Sequence, residues 1–169
     1  MKNRRIVILG FMGCGKTTVA KELARQLDCK FTDLDALITE LQGRSPAEII
    51  QEDGETSFRE IETLALRDVL HTRDVRVIAL GGGTWTVPAN RTLIALHDCL
   101  SLWLDAPFEL CWGRIMTSGN TVRPLAPDRE TAETKYESRR ADYAFANRRV
   151  LVNESDTAET LVDQILRQS

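Results

Sequence analysis

The chain has 169 residues, a length that suits one domain with a core of its own. Hydrophobic residues make up 43% and charged residues 28%, the balance of an ordinary soluble globular protein rather than a disordered or fibrous one. A net charge of −3 gives no electrostatic case for nucleic acid, and no apolar run approaches the roughly 20 residues of a membrane span, so neither partner is expected.

The basic start Met1-Lys2-Asn3-Arg4-Arg5 precedes too short an apolar stretch for a signal peptide. Arg5-Ile6-Val7-Ile8-Leu9 reads as a buried parallel strand. It runs straight into Gly10-Phe11-Met12-Gly13-Cys14-Gly15-Lys16-Thr17, which fits the phosphate-binding pattern G-x-x-x-x-G-K-[ST] at every position. From Thr18 to Leu27 a helix is expected, with Val19, Leu23 and Leu27 on one face. Strand, glycine loop and helix together are the setting the pattern needs. Glycines let backbone N–H groups turn inward around a phosphate, and the helix N-terminus adds a partial positive charge. Gly13, Cys14, Gly15 and Thr18 are therefore expected to bind ATP with Lys16, which reaches the β- and γ-phosphates, while the Thr17 hydroxyl binds Mg²⁺. An ordinary glycine-rich turn is the competing reading. The Cys14 thiol is either a thiolate favoured by the helix N-terminus and Lys16, or a small apolar group turned into the core.

Lys30-Phe31-Thr32-Asp33-Leu34-Asp35 follows as a strand ending in two aspartates that, in an extended segment, share a face. Strand C-termini line the ligand crevice of an α/β sheet, which would bring both carboxylates near the phosphate loop. Asp35 as N-cap of a helix Ala36 to Leu41 is the alternative. Ser45-Pro46-Ala47-Glu48 opens a helix that stops near Asp53-Gly54, and another spans about Ser57 to Leu70 with Phe58, Ile61, Leu64 or Ala65, and Val69 inward. Arg59, in the first turn, needs an anionic partner, and Glu62 or Glu55 can serve as an ordinary ion-pair partner. Val75 to Leu80 is a third strand, and Gly81-Gly82-Gly83 behind it is either a close-approach site for a ligand or a flexible turn.

A helix from Pro88 to Leu96, a strand from Cys99 to Leu104 and a helix from about Phe108 to Met116 come next. Thr117 to Leu125 is polar and aperiodic, an active-site lid edged by Arg114 and Arg123, or else a surface loop. Thr131 to Tyr143 reads as a helix whose charges form a solvated face, with Arg139 and Tyr143 four apart. Arg148 to Val152 is the fifth strand. Asp156 or Thr157 caps a closing helix that carries Leu161, Val162, Ile165 and Leu166. The cysteines Cys14, Cys29, Cys99 and Cys111 form no C-x-x-C pair, so neither a zinc site nor a disulfide framework is expected, and a reduced cytoplasmic compartment fits best.

Taken together, Gly10 to Thr18, Asp33-x-Asp35, Gly54-Glu55-x-x-Phe58-Arg59-x-x-Glu62, Gly81-Gly82-Gly83, Arg123-Pro124-Leu125 and Arg139-x-x-x-Tyr143 resemble the shikimate kinase family over nearly the whole chain, in order. The resemblance implies an α/β, three-layer P-loop kinase fold with a five-stranded parallel sheet ordered 2-3-1-4-5. One domain would span 1–169, with a substrate-binding subregion at about 34–62 and a lid at about 113–126. The implied activity is ATP-dependent phosphorylation of the shikimate 3-hydroxyl, with Mg²⁺ as cofactor, by a cytoplasmic monomer. Carried over by position, Lys16 and Thr17 match the nucleotide-phosphate and Mg²⁺ positions and Asp33 the carboxylate that holds Mg²⁺ through water. Asp35 matches the substrate-binding candidate base, and Arg59 and Arg139 the pair on the substrate carboxylate. Gly82, between Gly81 and Gly83, matches a backbone contact to a hydroxyl, and Arg123 the lid arginine at the transferring phosphoryl. Ile50, Trp85 and Ala126 depart from the usual pattern, which puts substrate affinity and lid kinetics in question, and the role of Arg114 stays open. A kinase for gluconate or a nucleoside monophosphate, and a non-catalytic nucleotide-binding module, are the other readings.

Overall fold

The computed structural model describes residues 4–72, 74–117 and 127–167. Its five strands form one parallel sheet in the order β2-β3-β1-β4-β5. The central strand β1 (Ile6–Leu9) and its neighbour β4 (Leu100–Asp105) are buried along their whole length, which explains the unbroken apolar run of β1 and the mainly apolar β4, where Ser101 and Asp105 are hydrogen-bonded. The edge strands β2 (Lys30–Asp33) and β5 (Arg148–Leu151) are partly exposed, and β3 (Val75–Ala79) lies between β2 and β1.

Seven helices flank the sheet among the described residues: α1 (Lys16–Gln26), α2 (Leu34–Gln42), α3 (Pro46–His71), α4 (Pro88–Leu96), α5 (Phe108–Thr117), α6 (Arg129–Tyr143) and α7 (Ala158–Arg167). Helix α1 packs on β1, β2, β3 and α7, α3 packs on α2 and α4, and α5 packs on α6. Because every strand points the same way, the loops leaving their C-terminal ends converge on one edge. Ile8 and Asp33 are both in register with Ala79. The glycine loop after β1, the segment after β2 and the triple glycine after β3 therefore emerge side by side.

Several boundaries differ from the sequence reading, and the differences have causes. Helix α1 begins at Lys16 rather than Thr18, so Lys16 and Thr17 belong to its first turn. Strand β2 ends at Asp33, and Asp35 already sits in the first turn of α2. The two aspartates therefore do not share a strand face. The Asp33 carboxylate accepts from the backbone N–H groups of Asp35 and Ala36 at 3.0 and 3.2 Å. Asp33, not Asp35, is the N-cap, which leaves the Asp35 carboxylate free for other work.

Ser45 closes the expected capping box with Glu48. The two helices expected around Gly54 run on as the single element α3, broken at Gly54 by φ 89° and ψ 162°. That conformation is open essentially to glycine alone. On its inner side Ala65 is buried and Leu64 is exposed. Helix α6 is not merely a solvated charged face, because Ala132, Tyr136, Arg139 and Tyr143 form a buried stripe along it. Thr157 caps α7 through its hydroxyl, which accepts from Thr160 N–H at 3.2 Å, while Asp156 instead accepts from Asn153 N–H at 2.7 Å. No described helix is long and apolar enough to cross a membrane. Arg123, Ala126 and the core of the expected lid, 118–126, lie outside the described residues.

Candidate active site

The loop after β1 is shaped by positive φ angles at Gly10, Gly13 and Gly15. At Gly13 a β-carbon would meet the Cys111 carbonyl oxygen at 2.6 Å, so backbone packing against α5 demands glycine as firmly as the dihedral does. Gly15 caps α1 with no side-chain hydrogen bond, so the N–H groups of the first helical turn remain open to an anion. Lys16 reaches back across the loop, its Nζ donating to the carbonyls of Gly10 and Phe11 at 3.0 and 2.9 Å. The Thr17 hydroxyl donates to Asp33 Oδ2 at 2.5 Å.

Cys14 is 1% exposed, and burial pushes its thiol above the ordinary value despite the opposing charge of Lys16. The thiolate expectation therefore fails. The thiol packs close to Gly10, and Cys14 and the exposed Thr18 both line the cleft.

A cleft of about 630 Å³ opens from this loop across the sheet edge. Asp33 and Asp35, Ile50, Phe58, Arg59 and Glu62 line one end, together with Gly81–Gly83 and Arg139. Asp35 is pushed up to about 6, chiefly by burial and then by the negative charges of Asp33 and Glu62, with Lys16 and Arg59 opposing. Glu62, fully buried, accepts from Arg59 Nη1 at 2.7 Å and from the Thr84 hydroxyl at 2.6 Å. Arg59 also donates to Glu55 at 3.1 Å, so both ion-pair partners read from the sequence engage it while it lines the cleft.

The triple glycine is neither a loose turn nor a site of positive φ. It is a place where charged side-chain ends occupy the space that β-carbons would take. At Gly81 one would stand 2.7 Å from Asp35 Oδ1 and 2.8 Å from Glu62 Oε1. At Gly83 it would stand 2.6 Å from the Arg59 guanidinium carbon, and at Gly82 3.3 Å from Arg139 Nη1. Four charged side chains thus press onto three bare Cα atoms.

Arg139 is 8% exposed, and among the described residues no carboxylate pairs with it. Its guanidinium lies 5.9 Å above the Phe11 ring, and its neighbour Tyr143 donates a 2.6 Å hydrogen bond to the Gly82 carbonyl. A buried cation without a counter-ion calls for an anionic ligand.

At the other end, Arg114 Nη1 lies 3.4 Å from the Gly13 carbonyl, and Asp156, Ala158 and Leu161 complete the wall. Arg114 thus borders the phosphate loop, a position the sequence left open. In the sequence Asp156 reads as a cap candidate and Leu161 as part of the apolar face of the closing helix. The place of this stretch after a parallel strand at the crevice edge was the signal to watch. Trp85 faces away from the cleft: it is buried and donates from Nε1 to the Asp142 carbonyl at 2.9 Å. Its departure from the family pattern therefore does not bear on the cleft by direct contact, whereas that of Ile50 does.

The donors present suit ATP with Mg²⁺. Open N–H groups and an ammonium surround the phosphate position. One hydroxyl and one carboxylate stand together at the helix start, a sparse all-oxygen set fitted to an ion that keeps most of its waters. Among the described residues no cluster of three or more metal-ligating side chains offers an alternative metal site.

The comparisons agree with this arrangement. The shikimate kinase family model matches residues 12–169. A shikimate kinase of Geobacter sulfurreducens is 40% identical over 98% of this chain and 88% of its own, and one of Microcystis aeruginosa is 36% identical over 98% and 86%. The structure of shikimate kinase from Acinetobacter baumannii in complex with shikimate superposes with a TM-score of 0.90 at 30% identity, covering 98% of this chain and 92% of that one. The chain belongs to the shikimate kinase family.

Proposed function

We propose that the protein phosphorylates the 3-hydroxyl of shikimate with ATP and Mg²⁺. It acts as one P-loop kinase domain over 1–169, monomeric and cytoplasmic, with a substrate subregion at 34–62 and a lid at 113–126. The observation that carries this reading is Arg139: a buried guanidinium with no carboxylate partner among the described residues, in the same cleft as Arg59, Asp35 and the phosphate loop. Two guanidinium forks suit a planar carboxylate.

Bound Mg²⁺–ATP supplies the transferable phosphoryl group and offsets part of its charge. Lys16, the N–H groups of Gly13, Cys14 and Gly15, and those of the first turn of α1 hold the phosphates. Thr17 and Asp33 would hold the metal, and Thr18 would lie beside the nucleotide. Arg59 and Arg139 grip the acceptor's carboxylate, and Gly81–Gly83 let its hydroxyl face approach the backbone. Asp35, about 6 in this setting, is ionised at neutral pH. It takes the proton of the attacking hydroxyl as that oxygen bonds to phosphorus and the bond to the bridging oxygen breaks. Arg123 reaches the transferring phosphoryl from the lid, and Arg114 backs the phosphate loop.

The test is ADP release with shikimate, gluconate and nucleoside monophosphates, each with Mg²⁺ and with EDTA. Saturable turnover on shikimate, abolished by EDTA, is expected. Turnover on gluconate alone would overturn the substrate, and nucleotide binding without turnover on any acceptor would make the protein a binding module.

A further inference from the structure

The turn after β3 holds both arginines of the cleft, but by unlike means. Arg59 is fixed by a carboxylate: it donates to Glu62 at 2.7 Å, and the Thr84 hydroxyl donates to that same Glu62 at 2.6 Å. Arg139 has no such anchor among the described residues, so its place depends on where the end of α6 docks. On the side of the turn after β3 that end is fastened twice, besides the Arg140 ion pair to Asp105 on its other side. Tyr143 donates to the Gly82 carbonyl at 2.6 Å, and Trp85 Nε1 donates to the Asp142 carbonyl at 2.9 Å. A single nitrogen, Arg91 Nη1, ties the second fastening together: it meets Asp142 Oδ1 at 3.0 Å, the Trp85 carbonyl at 2.9 Å and the Thr86 carbonyl at 3.3 Å. Trp85 is 4% exposed, so its N–H would be left without a partner if α6 moved away. Arg139 stands one helical turn before Asp142, on the same side of α6.

We propose that Trp85, with Arg91 and Asp142, is a strut that positions Arg139, and so sets affinity for the acceptor's carboxylate. These are positioning residues: none of them lines the cleft. The inference rests on the reading of Arg139 given above. Misplacing a charged anchor by a fraction of an ångström weakens a two-point grip on a planar anion without touching the nucleotide end of the cleft.

Steady-state kinetics on Trp85→Phe, which keeps an aromatic ring and drops the N–H, test this. KM for shikimate should rise about 3- to 10-fold, the net worth of one hydrogen bond. KM for ATP and kcat should stay within about two-fold, because the strut is remote from the phosphates. Placed on Arg139→Lys, the same substitution should add less than about two-fold, since the group it positions is already gone. Asp142→Asn, which keeps an oxygen acceptor for Arg91, should retain most of the parent KM. If Trp85→Phe does not fold, Arg91→Lys carries the same comparison. Equal rises in both KM values, or an unchanged KM for shikimate beside a raised one in Arg139→Lys, overturn the strut alone. No turnover of shikimate by the parent, or no effect of Arg139→Lys, overturns the functional reading and the strut with it.

Discussion

Arg139 and Arg140 are consecutive residues of α6, yet they serve two clusters of opposite character. Arg140 turns to Asp105, at the end of β4, and donates to its Oδ1 at 2.6 Å, while Arg149 Nε donates to Oδ2 at 2.6 Å. Both guanidiniums lie over the Trp103 ring, at 5.2 and 5.0 Å, and Tyr136 links Arg140 to the Ala106 carbonyl. Asp105 and its two arginines answer one another, so this cluster is a fastener between β4, α6 and β5. Arg139 turns the other way, into a cluster where like charges crowd. Asp35 feels both Asp33 and Glu62 there, and Arg139 has no carboxylate partner among the described residues. The same residue types make a clamp where every charge touches an opposite one and a site where like charges face one another.

The comparison is broken most sharply at Asp35. Asp35→Asn should lower kcat by about two to four orders of magnitude, the range for losing general-base help, and leave nucleotide affinity nearly unchanged. The parent's kcat/KM should fall on the acid side of about pH 6, where Asp35 takes up its proton. The same group makes a stability statement. Its folded value, about 6, lies above the ordinary 3.8, so the folded state holds the proton more tightly. This group's contribution therefore declines as pH rises from about 4 to about 6, and the full cost persists above that range. Asp35→Asn should accordingly melt higher than the parent at pH 8 and no higher near pH 4, as thermal scans at the two pH values will show. A variant that melts lower at pH 8 would mean the carboxylate cluster is a fastener after all.

Next in size is the split between neighbours. Arg139→Lys should raise KM for shikimate by about 10- to 100-fold, the worth of a charge-assisted hydrogen bond, with little change for ATP. Arg140→Lys should leave both KM values alone and lower Tm. Arg59→Lys should fall between these in its effect on KM for shikimate, because Glu62 and Glu55 still hold a cation there. Varying each substrate in turn separates the cases.

A smaller effect is expected at the fastener itself. Asp105→Asn strips the counter-charge from two partly exposed arginines, at a cost of about 1–3 kcal/mol after screening. For a domain of this size that is a fall in Tm of about 2–10 °C, with kinetics unchanged.

The smallest concerns the thiols. With Cys14, Cys99 and Cys111 buried, Cys29 should be alkylated first by limited iodoacetamide, and bound nucleotide should not alter the order. Peptide mapping by mass spectrometry reads this directly. Early labelling of Cys14 would restore the thiolate picture.

The glycine loop and the strand–helix alternation could be read from the chain because each is written in contiguous residues: an apolar run, glycines at fixed offsets, a lysine. The fastener and the fine structure of the site could not. Charges on α6 outnumber its apolar residues, so the stripe of Ala132, Tyr136, Arg139 and Tyr143 was hidden by a composition that reads as solvated. Asp33 and Asp35 were told apart only by where β2 stops, a boundary that no local propensity marks. The three glycines after β3 read equally as a close-approach site or a flexible turn, because what crowds them is Asp35, Glu62, Arg59 and Arg139, which arrive from distant parts of the chain. Arg139's want of a carboxylate is a fact about tertiary neighbours and has no signature in sequence.

The break at Gly54 has a mechanical consequence. Upstream of it α3 carries Ile50, and downstream it carries Arg59 and Glu62, all on the cleft wall. Nothing lies within 4 Å of where a Gly54 β-carbon would be, so it is the backbone angle and not crowding that calls for glycine. Both halves are held in place: Ile49 upstream is fully buried, Arg44 pairs with Glu52 and Asp53, and Glu62 downstream takes the Thr84 hydroxyl. Gly54 therefore sets the angle at which the half bearing Ile50 meets the half bearing Arg59 and Glu62. A residue confined to negative φ there would turn one half of the wall away from the other.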